Sequence, residues 1–220
     1  MNDDSPGTEL VIDETEDLWW VFYLSQIVRQ DLGYSLAKVF TQRGMQVISE
    51  HLSQPFFQIV VRDTLTDIRI EISNASDDLK PYLFLGMKAD LVLPPDAVTA
   101  RLNADLFLEL GKIGYQVLQP KYAFGENLNM YVEMADVDAS RLTHVCWANL
   151  FGPQFVRGIG RDLLINAPAW RNENLGDGGL LYVLAASPYL YQGPQQYWGA
   201  ARQYFNQHIP GVIVWSDMPG

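Results

Sequence analysis

Imidazole and thiol side chains are scarce in this chain: His51, His144, His208 and Cys146 are the whole supply. A zinc-type site wants about four nitrogen, sulfur or carboxylate ligands in tetrahedral array. Only His144 and Cys146, two residues apart, could share one face of a strand and supply a pair. No second pair accompanies them, so both read as structural strand residues. Cys146 lies between Val145 and Trp147 in an apolar run, where a thiol acts as a small buried hydrophobe with no cause for a depressed pKa. Glu133, Asp136 and Asp138 offer oxygen donors but lack the glycine and closing glutamate of a calcium loop, and read as a solvated turn. There is no GxSxG elbow, and Ser187 precedes a proline, which marks a turn. Gly158-Ile159-Gly160-Arg161 lacks GxGxxG spacing, and no GKS or GKT follows a glycine-rich loop. Asp105 and Glu109 stand one helical turn apart, as an acid/base pair would, yet Lys112 beside them favours a solvated charged strip. We therefore assign no catalytic residue, no metal site and no cofactor from the sequence.

Charge and aromatic rings carry the remaining signal. The formal net charge is -11, from 26 acids and 15 Lys and Arg. Asp3, Asp4, Glu9, Asp13, Glu14, Glu16 and Asp17 fall in the first 17 residues, which hold no Lys or Arg. The rest is close to balanced, which argues against nucleic-acid binding through a basic patch. The acidic segment could recruit a basic protein, or it could be a solvated terminus that aids solubility. Tyr182, Tyr189, Tyr191, Tyr197, Trp198 and Tyr204 crowd the last third, and such rings are enriched at partner interfaces. Core packing accounts for at least half of them. Asp13, Glu14, Glu16, Asp17, Tyr189, Tyr191, Tyr197 and Trp198 are thus the candidate partner-binding residues.

The elements that would hold these groups follow from periodicity. A length of 220 residues suits one domain at 17–220 with an acidic, flexible arm at 1–16. Residues 18–52 read as two helices or one broken one, with Gly33 and Gly44 as breaks. Period two then sets in at 68–72 and 87–91, and the more uniformly apolar run 56–61 suggests a central strand. The loop 74–78 separates two of them. Pro94-Pro95-Asp96 opens a helix over 96–118, with Val98, Leu102, Leu106, Leu110, Ile113 and Val117 on its buried face. It ends at Pro120, and a strand is expected at 130–134. The run 145–151 leads through Gly152-Pro153 to a short helix at Phe155, Val156, Ile159, Leu163 and Leu164. A hairpin follows around 176–179, returning through 180–184. Gly193-Pro194 introduces a helix with Tyr197, Trp198, Ala201 and Phe205, and the run 212–215 is expected to join the sheet. This succession predicts an α+β fold, mainly antiparallel sheet packed by several helices. The apolar run 18–24 is far short of the ~20 residues that span a bilayer, the first residues are acidic where a secretory leader is basic, and one cysteine makes no internal disulfide. A cytoplasmic protein with no membrane contact is the expectation.

The segments 106–126 and 144–188 resemble a bacterial family of domains grouped with the immunity proteins of polymorphic toxin and type VI secretion systems. The resemblance rests on Pro120, Tyr122 and Gly125 (a Pro-x-Tyr-x-x-Gly turn), on Trp147, Asn149, Phe151, Gly152 and Pro153 (Trp-x-Asn-x-Phe-Gly-Pro), and on Gly178 and Gly179 in the hairpin. These residues are mostly fold-determining, and no catalytic motif travels with them. The resemblance implies a protein that neutralises a cognate toxin by stoichiometric binding. An enzyme with a cleft lined by Tyr122, Trp147, Tyr182 and nearby acids, and a structural component of a secretion or phage-related particle, are the alternatives.

From the charge run and the Ser5-Pro6-Gly7 break, limited proteolysis should trim the chain near residue 16 and leave the body intact. A resistant N-terminal segment in the isolated protein would contradict that reading.

Overall fold

The computed structural model describes residues 17–25, 30–53, 56–64, 68–74, 81–92, 97–127, 132–186, 188 and 196–214. Among them the chain forms an α+β domain. The expected arm at 1–16, most of the loop at 74–78 and the residues Met130, Tyr131, Ser187, Tyr189, Tyr191 and Trp215 lie outside this set.

The run expected to begin a helix is strand β1 (Asp17–Tyr23). It takes the middle place in a nine-stranded sheet. Leu18, Trp19, Trp20, Val21, Phe22 and Tyr23 are all nearly fully buried. A strand covered on both faces is apolar at every position, so its period is invisible and it reads like a buried helix. Helix α1 (Gln30–Gln42) follows, and Gly44, at φ 93°, turns the chain into β2 (Met45–Ser53). Val47, Ile48 and Leu52, expected on a helix, are therefore strand residues. Gly33 is no break: a Cβ there would meet the Phe57 ring at 2.3 Å, so glycine lets α1 lie against the sheet.

The remaining strands are β3 (Phe56–Asp63), β4 (Arg69–Asn74), β5 (Tyr82–Lys88), β6 (Tyr122–Asn127), β7 (His144–Val145), β8 (Ala148–Phe151), β9 (Arg171–Asn174), β10 (Leu180–Val183) and β11 (Ile213–Val214). The large sheet runs β2-β3-β4-β5-β1-β6-β8-β10-β9, antiparallel at every step. Four strand expectations need correction. β3 is second from an edge, not central, and Phe57, Ile59 and Val61 alternate into the core. β5 starts earlier than expected and stops at Lys88, after which Ala89–Val92 winds as a short 3-10 turn. Of the strand expected at 130–134, only Val132 to Met134 are described, and Met134 opens helix α3 (Met134–Asp138); the strand nearest upstream is β6. The C-terminal β11 does not join the large sheet. It pairs in parallel with β7 in a separate two-stranded ribbon.

Helix α2 (Ala97–Leu118) lies over β1, β5, β6 and β8, and α1 lies over β2, β3 and β4 on the same face. The buried side of α2 is Ala104, Phe107, Leu108, Leu110, Ile113, Tyr115 and Leu118, while Val98 and Leu102 are 67% and 63% exposed. The expected stripe stepped by four residues, and each step overshoots a turn by about 40°, so over three steps Val98 drifts ~120° from Leu110. Gly111 and Gly114 complete the contact: a Cβ at either would sit 2.2 Å from the Trp20 indole or 2.4 Å from the Phe22 ring. The opposite face of β1, β6, β8 and β10 is covered by the ribbon and by α3, α4 (Pro153–Ile159), α5 (Arg161–Asn166) and α6 (Gln196–His208). Gly160, at φ 106°, separates α4 from α5.

In urea melts, Leu110→Ala should cost about 2–5 kcal/mol through cavity formation, whereas Leu106→Ala, at a half-covered position, should cost about 1 kcal/mol. Gly111→Ala should destabilise by about 1–3 kcal/mol despite its better helix propensity, because the methyl group overlaps the indole.

Candidate functional site

β6 and β8 bring the Pro-x-Tyr-x-x-Gly and Trp-x-Asn-x-Phe-Gly-Pro segments together. Tyr122 stands opposite Phe151, Phe124 opposite Asn149 and Gly125 opposite Ala148. Gly152 donates its N–H to Lys121 O at 2.9 Å, and a Cβ on it would meet the Pro120 carbonyl at 2.5 Å. Pro153 then opens α4 at its first turn, where a missing N–H costs nothing. Gly125 leaves room for the rings of Phe107 and Trp20. In the hairpin, Gly178 takes φ 93°. Tyr115 Oη donates to Asp177 Oδ2 at 2.8 Å, and Gly179 N–H donates to Asp177 Oδ1 at 2.9 Å. Burial and the neighbouring Asp177 carboxylate push the Tyr115 hydroxyl well above its usual value.

Beneath these strands runs a buried polar chain. Asn149 Nδ2 donates to Cys146 O at 2.8 Å, while its Oδ1 accepts from Cys146 N at 3.1 Å and from Tyr122 Oη at 3.0 Å. Tyr122 Oη also lies 3.9 Å from Cys146 Sγ. Burial drives both the Tyr122 hydroxyl and the Cys146 thiol well above their usual pKa, so both stay protonated. The thiol is an interior hydrogen-bonding group and not a nucleophile. Next to it, Glu126 is 4% exposed, one of its oxygens has no hydrogen-bond partner, and burial lifts its pKa to about 8. The Cys146 thiol and the backbone N–H of Trp147 oppose that rise. Glu126 was not singled out from the sequence. Its signal was the alternation Tyr122, Phe124, Glu126, which puts an acid on the same face as two inward rings.

The other candidates fall elsewhere. Asp13, Glu14, Glu16, Tyr189 and Tyr191 are outside the described residues; Asp17 begins β1 in register with Lys88. Tyr197 and Trp198 are in the first turn of α6, with Trp198 half-buried against the lower layer. Tyr182, at 0% exposure, donates to Pro168 O. His144 is half-buried, which lowers its pKa, and its Nδ1 lies 3.1 Å from Thr143 Oγ1. Among the described residues no group of three or more His, Cys, Asp or Glu is placed to hold a metal, and no helix is long and apolar enough to cross a membrane. Glu133 is exposed, Asp136 lies 3.1 Å from Arg141, and Asp138 pairs with Lys121. Asp105 and Glu109 join Lys112, Arg171 and Glu173 in a surface network that ties α2 to β9. Its shortest contacts are Lys112 to Glu109 at 2.6 Å and Arg171 to Glu173 at 2.8 Å. The strand side of this network, Arg171 and Glu173, was not anticipated, because pairing across about 60 residues leaves no local spacing to read.

A second surface feature is apolar. Tyr34, Val47, Ile48 and Leu52 are each 37–45% exposed and all lie on β2 or on α1 beside it. No family model, no curated protein and no solved structure matches the chain. The immunity-protein resemblance therefore stands on its motif residues alone.

The folded state keeps a proton on Glu126 that the unfolded chain releases near pH 4.5. Stability should therefore fall as pH rises from about 4.5 to about 8, by roughly 1 kcal/mol per unit, and level off above. Denaturation of Glu126→Gln across that window should show the slope removed; an unchanged slope would mean that the carboxyl is ionised in the fold.

Proposed function

We propose that this chain is a protein-binding module of the immunity type, one that neutralises a basic cognate toxin by stoichiometric binding. The observation that carries the reading is the exposure of Val47, Ile48 and Leu52 along β2 and of Tyr34 on the adjoining α1, on a protein of formal charge -11. Exposed apolar side chains that cluster, rimmed by polar groups, mark interaction surfaces, whereas scattered ones do not. Acidic charge adds long-range attraction for a basic partner and speeds encounter. The motif resemblance supplies the toxin-neutralising part of the proposal. The enzyme alternative rested on a cleft lined by Tyr122, Trp147 and Tyr182, and these rings are interior, at 1%, 0% and 0% exposure.

The test is affinity capture with the full chain from its native host, reconstitution of the captured protein at equal stoichiometry, and a metal assay on the same sample. The expected result is a complex of one copy each that abolishes the partner's toxicity. Its association rate should drop steeply between about 0.01 and 0.15 M salt while dissociation changes little. Recovery of a stoichiometric metal with no protein partner would overturn the proposal.

A further inference from the structure

Two buried polar atoms without a hydrogen-bond partner stand on neighbouring strands: Trp19 Nε1, a donor, and Glu126 Oε2, an acceptor when the carboxyl is ionised. Trp19 is 2% exposed and Glu126 4%. The two residues are direct register partners in the antiparallel pair of β1 and β6, so their side chains rise from one face of the sheet. Trp20, next along β1, turns the other way and meets α2.

The seat of the indole fixes which of its edges faces Glu126. Gly86 is the register partner of Trp19 on the other side, in β5, and a Cβ there would lie 2.4 Å from Cζ3 and 2.5 Å from Cε3 of the ring. The benzo edge therefore lies over β5, with Phe84 edge-on to it at 6.0 Å between centroids. Nε1 is on the opposite edge of the ring and is turned toward β6. Directly opposed residues of such a pair have Cβ atoms about 5 Å apart, and the terminal torsion of a glutamate side chain is broad. Rotation of the carboxyl, with both strands left in place, is a low-cost way to offer an oxygen to the indole.

The proton on that carboxyl decides whether the offer is made. Glu126 is approached by the Cys146 thiol and the Trp147 backbone N–H, which favour the anion; burial outweighs them and lifts the pKa to about 8. Other ionisable groups stand near it among the described residues. Tyr122, on the same face of β6, is buried and neutral. Asp17 is two residues along β1 in register with Lys88, which is exposed, and Glu71 on β4 stands beyond Gly86 in the same row. A neutral carboxyl gains little from the indole N–H, whereas a buried carboxylate needs every donor within reach.

From this arrangement we infer that Trp19 and Glu126 form a proton-operated latch across β1 and β6: the indole N–H is idle while the carboxyl holds its proton, and donates to Oε2 once that proton has passed to solvent. β1 is the middle strand of the sheet, so the latch changes how it is tied to the half made of β6, β8, β10 and β9. The inference does not depend on the protein-binding reading.

Nuclear magnetic resonance on the full chain tests it, with isotope-labelled tryptophan and glutamate, between about pH 5 and pH 10. The Trp19 indole N–H, identified by its proximity to Phe84, should move downfield as the Glu126 carboxyl carbon titrates, with the same midpoint, and should stay still in Glu126→Gln. The effect should be reciprocal. Trp19→Phe removes a donor to the anion, so the Glu126 midpoint should rise by about one pH unit, a tenfold weaker acid. Phe84→Leu alters the packing of the indole but keeps its N–H, and should leave the midpoint in place. An indole resonance that stays flat while the carboxyl titrates, a carboxyl ionised across the whole range, or equal midpoints in the parent and Trp19→Phe would each overturn the latch. So would an equal rise in Trp19→Phe and Phe84→Leu, which would mark the effect as packing. The parent's own titration needs no variant to fold and decides between the first two of these outcomes and the latch.

Discussion

The seat of the Trp20 indole on α2 is the contact on which the rest of the structure depends. Trp20 is fully buried, its Nε1 donates to the Phe107 carbonyl at 2.8 Å, and its ring stacks on Phe107 at 5.3 Å between centroids. A helix carbonyl has two lone pairs, so Phe107 can accept from the indole and keep its place in the helix. The ring fits because position 111 has no side chain; any Cβ there would lie 2.2 Å away. Phe107 in turn stacks on Trp147 at 5.9 Å, and Gly125 opens the space between β6 and these rings. One interdigitated set of rings and glycines thus sets the height of α2 above β1, β6 and β8 together.

The face of β1 away from α2 is organised by a different principle. There, Tyr122, Asn149, Cys146 and Glu126 form a polar chain inside an apolar layer, and a polar group in such a place is tolerable only when bonded or neutral. Asn149 meets the condition by clamping both backbone groups of Cys146 and accepting from Tyr122. Glu126 meets it by holding its proton, since one oxygen finds no donor. Tyr122 and Asn149 belong to this knot and Gly152 to the turn beside it, so their roles bear on the fold and say little about a partner. Function has to be sought on the outside, and the outside of this molecule is uneven: β9 is short and ion-paired, β2 long and exposed.

Much of the local structure was legible. The helix over 96–118, the strand at 68–72, the turn at Gly152-Pro153 and the hairpin through 176–179 all carry their own punctuation, a proline, a glycine or strict alternation, within a few residues. The buried fate of Cys146 was also readable from its apolar neighbours. The misread elements have particular causes. Residues 18–24 are apolar because both faces are covered, which hides the strand period, while 56–61 reads as uniformly apolar although it is Phe57, Ile59 and Val61 that turn into the core. The exposed α2 residues Val98 and Leu102 were misassigned because an aliphatic stripe was followed while the small residues that mark close approach, Gly111 and Gly114, were passed over. Of the candidate site, the ion-pair network has no local signature, since it joins α2 to β9 across about 60 residues.

What the sequence by itself determined, then, is the α+β class, the scarcity of metal-binding and nucleophilic groups, and the acidic charge, because composition and short-range spacing are sufficient for each. Tertiary structure alone decided that β1 is the centre of the described sheet, that Glu126 is buried with its pKa raised and that β2 stands at an edge. Those outcomes depend on which strands become neighbours, and strand order is a property of contacts between residues far apart in the chain.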